Sequence, residues 1–393
     1  MNPSANGWIK KLLNEHPNNR WANTNTIEFY NRLKSTGFIY GGNVSTVLDS
    51  TYPNIFSEEE RCKINLLLSY YFIHVKNQKE VPFINHLIEY YKAISLQKQS
   101  FFEEFFSTNS SDGLLEKMIH KRIHLDHNVI SKNFSHFLIN ALLFVDILGY
   151  DRYLKGETNI RAYVTNLEAA FETIVFSVLE IKTEKTEYDT NLIKLLESSM
   201  RYKNNELLTY DEAIKLIHFD LEKRYIIDLV AMASWTDKTI DANERNFLHR
   251  LKQDLSLTEE DLQHSLDALN YFYEHHKDNV AFLSSKNLAQ SFYDNSSKLV
   301  IKLIRRNSKR LIRELTESKQ AMYLLAQSTH RNLTEEEHKK IQSQLIDIFK
   351  SIPSLAIFML PGGMLLLPLF IKFIPKLLPS AFDDNRIDED QKS

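Results

Sequence analysis

One cysteine, Cys62, is all the chain of 393 residues contains, so no disulfide can form within it. That fits a reducing compartment. Proline is absent between Phe83 and Ile352, and glycine between Glu157 and Pro361. A β-sandwich or barrel of this size turns sharply many times, and tight turns draw on those two residues. Helices with polar connections do not need them. No apolar h-region or cleavage site follows Met1, so no secretory signal is expected. Walker loop, dinucleotide fingerprint, Gly-x-Ser-x-Gly elbow and kinase set are all missing, and no enzyme is expected. The net charge of −3 argues against global attraction to nucleic acid, and DNA is not an expected partner.

What is present points to helices. Apolar residues make up 43% and charged residues 25%, enough for a sizeable core. Ser57 with Glu60, Thr209 with Glu212, and Thr334 with Glu337 each pair an N-cap hydroxyl with a carboxylate three residues on. Ile64, Leu67, Leu68, Tyr71 and Phe72 follow at helical spacing. The fold class is all-α, a multi-helix body. Glycine- and asparagine-rich residues 1–55 predict short helices and loops, with a helical domain at 56–182. Connections are expected at Asn109–Gly113, at Gly149–Gly156 and at polar Thr183–Asn191. Further helical segments are expected at 183–290 and 291–350, and an acidic tail at 383–393.

The run Ile352–Ile371 holds 20 residues without a charge. As one helix it would be about 30 Å long, the thickness of a bilayer's hydrocarbon core. Five of the nine prolines fall here and just beyond: Pro353, Pro361, Pro368, Pro375 and Pro379. Pro361, Gly362 and Gly363 would kink a span or open a hairpin. The expectation for 351–382 is a proline-interrupted membrane helix or hairpin in a lipid bilayer. The alternative is a buried core helix.

The spaced prolines ending in Leu378-Pro379-Ser380-Ala381-Phe382, after Asn332-Leu333-Thr334-Glu335 and Leu345-Ile346-Asp347, resemble the LETM family. These are leucine-zipper/EF-hand-containing transmembrane proteins of the mitochondrial inner membrane. The layout, a long helical body ahead of such a tail, looks like bacterial LETM-related proteins associated by name with biofilms. The resemblance implies cation/proton exchange across a membrane, and ribosome association of the segment after the span. Glu335 and Glu336 stand where the family tends to carry arginine, and the chain stops soon after Phe382. Asp347 is the carboxylate nearest the membrane segment and is the candidate for an ion path. Its ordinary alternative is an interfacial acid paired with Lys350.

The stretch Ala231–Glu244 is similar to the TerB-like helical domain of tellurite-resistance proteins. That resemblance implies a metal site on an acidic loop, with Asp237, Ile240 and Glu244 matching and Lys238 replacing a glycine. Read from the residues, Asp237, Thr239 and Asp241 alternate like the first ligands of a calcium loop. Ala242 and Leu248 break the EF-hand pattern, and Asp241 with Glu244 also reads as a capping box. A divalent cation is the cofactor this loop would hold. His120, His124 and His127 share one helical face, but Lys121 and Arg122 crowd it.

Lys298, Lys302, Arg305, Arg306, Lys309, Arg310 and Arg313 form a basic stripe on a predicted helix. Three readings are open: an anionic membrane surface, nucleic acid including ribosomal RNA, or a solvated face paired with acids elsewhere. Together these features predict a non-enzymatic membrane-associated protein of ion or envelope homeostasis. Its body would face the cytoplasm at the inner membrane, and a transport role would need a homo-oligomer. The alternatives are a membrane-anchored scaffold, whose TerB-like domain binds a protein partner or metal, and a ribosome-associated membrane protein.

Overall fold

The computed structural model describes residues 2–16, 23–48, 56–77, 81–94, 111–123, 142–182, 185, 208–235, 240–276, 297, 300–301, 303–352, 355 and 366–379. Among them every regular element is helical. The first eleven helices are α1 (Trp8–Glu15), α2 (Thr26–Ser35), α3 (Glu58–Lys76), α4 (Phe83–Ile94), α5 (Ser111–Ile123), α6 (Leu143–Leu154), α7 (Ile160–Ile181), α8 (Tyr210–Ile214), α9 (Asp220–Ser234), α10 (Ala242–Asp254) and α11 (Glu259–His276). Then come α12 (Ser308–Glu317), α13 (Lys319–His330), α14 (Glu335–Ser351) and α15 (Leu367–Leu377). A short 3₁₀ turn spans Phe38–Tyr40.

The capping pairs start their helices as the sequence predicts. Ser57, Thr209 and Thr334 each accept a hydrogen bond from the backbone N–H three residues on, and the glutamate there accepts one from the cap. The short helices expected in the first 55 residues are α1 and α2. The amphipathic reading of α3 needs correcting. Ile64, Leu67, Leu68 and Phe72 are buried, but so are Lys63, Asn65, Ser69 and His74 around the rest of the helix. It runs through the interior, which periodicity alone does not reveal.

Gly149 is not part of a connection. It lies inside α6, where a Cβ would meet the Tyr90 hydroxyl at 2.4 Å and Val164 at 2.6 Å. Glycine there lets α4, α6 and α7 approach closely. The connection proper begins at Lys155, and Gly156 takes φ +91. Of the connection expected at Asn109–Gly113, Ser111–Gly113 already belong to α5. Apart from Lys185, Thr183–Asn191 lies outside the described residues.

Aromatic rings tie distant helices together. Tyr30 of α2 packs on Phe144 of α6 at 5.3 Å, Phe144 on Tyr225 of α9 at 4.9 Å, and Tyr225 on Phe171 of α7 at 5.3 Å. Two ion pairs are sealed into this interior. Asp228 of α9 accepts hydrogen bonds from Tyr30, from Lys34 at 3.1 Å and from Ser265 of α11 at 2.5 Å. Arg122 of α5 holds Asp146 of α6 at 2.6 Å. Burial pushes the Asp146 carboxyl up although Arg122 opposes it. Cys62 is also buried, and burial raises its thiol far above the ordinary range, leaving it unreactive.

Candidate functional site

The C-terminal helices α12 to α15 place most of the residues singled out in the sequence. In α14, Ile341, Leu345, Ile348 and Phe349 recur at helical spacing and are buried. They face α13, which buries Ala321, Met322, Leu324 and Leu325. The start of α14 is braced twice. Thr334 and Glu337 cap it, and both Arg331 nitrogens hold the Glu337 carboxylate, at 2.8 and 2.5 Å. That guanidinium, helped by the Thr334 N–H, pulls the Glu337 carboxyl down to about 2.

The apolar run does not continue α14. The helix ends at Ser351, and Ile352 is extended. Leu366 precedes α15, with Pro368 in its first turn, Pro375 within its last turn and Pro379 just past its end. Pro375 removes one backbone donor near the end of the helix, where the disruption is small. Leu367, Leu369, Phe370, Ile371 and Ile374 are buried, and α15 packs against α13. The rings of Phe349 and Phe370 meet at 5.1 Å. One straight helix between them would hold them about 30 Å apart. Phe349 and Phe370 are therefore not joined by one straight helix. Pro353, Pro361, Gly362 and Gly363 lie outside the described residues. Among the described residues, no helix is long and apolar enough to cross a membrane.

Asp347 is exposed on α14 and takes a 2.8 Å hydrogen bond from Lys350. This is the pairing weighed as its ordinary role. In the Ala231–Glu244 stretch, Asp241 and Glu244 form a reciprocal capping box at the start of α10, both hydrogen bonds 2.8 Å. Those carboxylates thus have a structural task, and Asp237 lies outside the described residues. Among the described residues, no three of His, Cys, Asp and Glu group as metal ligands would. His120 is 3.9 Å from Glu59, while His124 and His127 lie outside the described residues.

The basic stripe falls on α12 and the turn before it. Arg305, Arg306, Lys309, Arg310 and Arg313 are all exposed, and Lys298 and Lys302 lie outside the described residues. Behind the stripe Leu303, Ile304, Leu311 and Leu315 are buried. Arg313 pairs with Glu314 at 2.9 Å. Arg305, Lys309 and Arg310 have no ion-pair partner among the described residues, although exposed cations elsewhere pair commonly. Arg32 holds Glu28, Lys155 holds Asp151 and Arg331 holds Glu337. A readable signal lay in the sequence: no acid stands between Asp294 and Glu314. Sequence reading missed the buried Asp228 and Arg122 pairs, whose partners are far apart along the chain.

One comparison with known proteins falls on this same region. Residues 333–393 match the family model described as LETM1-like, RBD. The C-terminal segment is LETM1-like. A stretch of 52 residues is 46% identical to the mitochondrial proton/calcium exchanger protein of Drosophila melanogaster. It covers 13% of this chain and 5% of that relative. No solved structure matches the chain. The family match begins at Leu333, so it takes in α14 and α15 and leaves Met232–Leu262 outside.

Proposed function

We propose that this chain is a non-enzymatic, membrane-associated LETM1-like protein acting in cation/proton homeostasis. Its body faces the cytoplasm at the inner membrane. The observation that carries this reading is the LETM1-like match over α14, the proline-spaced apolar segment and α15. The meeting of Phe349 and Phe370 favours an apolar segment that enters and returns on the same side. Such a hairpin satisfies the bilayer's demand for paired backbone groups only where protein or water meets its bend. One broken helix cannot enclose a cation path, so transport calls for several copies. In that assembly Asp347 at the end of α14 stands at the mouth, releasing Lys350 to meet a cation.

The test is fractionation of the full-length chain with alkaline carbonate washing of the membranes. The chain is expected to stay in the pellet; release into the wash would make the run a core element and remove the basis for transport. Ion flux in vesicles carrying the protein, with Asp347→Asn beside it, then separates two roles. Unchanged flux in the variant would remove Asp347 from the path. A scaffold whose 183–290 region binds a protein partner or a divalent cation makes a different prediction. There an unrelated anchor in place of 351–382 would preserve function.

A further inference from the structure

The basic face of α12 is the surface feature that the proposed function leaves unused. Seven cations and no acid lie between Asp294 and Glu314, in a chain whose net charge is −3. Lys309, Arg310 and Arg313 lie on α12, Lys309 and Arg313 four residues apart, and Arg305 and Arg306 stand in the helical turn just before Asn307. Each is exposed. The opposite side is spent on the core through Leu311 and Leu315. The arrangement therefore cannot rotate the charges inward, and among the described residues Arg305, Lys309 and Arg310 have no carboxylate to neutralise them. Like charges at this spacing repel and cost helix stability. A counter-surface of the opposite sign would relieve that cost.

Position argues for which surface. α12 packs on α13 and α14, and α13 packs on α15. The face thus belongs to the same helical unit as the two flanks of the apolar segment. α15 adds exposed Lys372 and Lys376. A bilayer offers both things this unit presents a need for: hydrocarbon for the apolar run and anionic headgroups beside it. We propose that the α12 face docks on anionic phospholipid headgroups of the leaflet that receives the apolar segment. This rests on the membrane reading above. It adds a requirement for anionic lipid and a sensitivity to salt that insertion alone does not carry.

The experiment uses the full-length chain with Ser308→Cys, at the edge of the basic face, labelled with a polarity-sensitive fluorophore. Cys62 is buried and stays unlabelled. Vesicles of phosphatidylcholine alone are compared with vesicles holding about a third phosphatidylglycerol. A blue shift only with the anionic lipid, reversed by high salt, supports the proposal. Changing Arg305, Lys309 and Arg310 to glutamine is expected to weaken that response about 100-fold, about fivefold for each charge. The lysine variant Arg305→Lys, Arg310→Lys keeps it. These side chains are exposed, so the glutamine variant should fold, and its far-ultraviolet circular dichroism checks this. An equal signal in both vesicle types, or an unaltered one in the glutamine variant, overturns the proposal. So does a response to a single-stranded oligoribonucleotide with none to anionic vesicles, which assigns the face to nucleic acid. Carbonate extraction keeps the two readings apart. A chain that resists carbonate while the label stays silent defeats only the docking surface.

Discussion

Asp228 is 1% exposed and takes hydrogen bonds from α2 and α11. A carboxylate this deep is tolerated because Lys34, itself buried, supplies the opposite charge. Removing one partner of a buried pair leaves an uncompensated charge, which costs about 3–5 kcal/mol. Lys34→Met is therefore expected to lower the urea midpoint of unfolding by a matching amount. The same substitution has a second readout. His264 Nδ1 lies 3.5 Å from the Lys34 ammonium, and burial first, then that charge, hold the imidazole below its ordinary value. With a depressed folded value, the unfolded chain binds the proton more readily, so stability falls as pH drops through about 6.5. Without Lys34 the imidazole titrates higher, since Asp228 remains beside it, and the fall in stability becomes shallower. Proton NMR titration of His264 checks this; an unmoved midpoint would mean that the Lys34 charge is not felt there.

Helix starts were legible because a capping box is written in four consecutive residues. Thr334 and Glu337 illustrate how far such a local signal reaches. The sequence shows the box, but not that Arg331, six residues before Glu337, folds back to hold the same carboxylate. Glu337 is depressed in the folded chain, so its contribution is complete above its unfolded value of about 4.3 and is lost as pH falls towards 2. Glu337→Gln should flatten the loss of α14 stability across that window, as followed by helicity between pH 5 and pH 2. A wild-type curve as flat as the variant's would remove the brace. Thr334→Ala should cost about 1 kcal/mol at neutral pH. The basic face was legible for the same reason as the caps, since its cations are close together in the sequence. The nearness of Phe349 and Phe370, at the two ends of the apolar run, was not. A charge-free string reads alike as a span, a hairpin or a core helix, and only the meeting of Phe349 with Phe370 separates the first from the others.

At the scale of the whole molecule, the described residues among the first 48 serve as one wall of the interior. Composition suggests a separate, loop-rich segment there, because loops and short helices are local properties and the partners are remote. Phe29 stacks on Phe72 of α3 at 4.0 Å, and Tyr40 packs on Phe272 of α11 at 5.2 Å. Gly37, at φ +83, leaves no room for a Cβ against Phe272. From the other side, Glu116 of α5 accepts hydrogen bonds at 3.1 Å from the N–H groups of Gly7 and Ile9, at the start of α1. Its negative charge also suits the positive end of that helix. A chain beginning at Gly42 would lose all of these contacts. It would also leave Asp228 buried with Ser265 alone, and uncover the Leu33, Phe38 and Ile39 contacts against the central helices. The loss of several buried apolar side chains, each contributing about 1.5–3 kcal/mol, approaches the whole stability of an ordinary domain. The truncated chain is expected to lack a cooperative thermal transition by circular dichroism and to bind a hydrophobic dye strongly. If it instead melts with the transition of the full chain, residues 2–41 are an appendage. The Asp228 cluster would then be a local ornament of α9 and α11, and the continuity of the core across the body would not be what holds α9 in place.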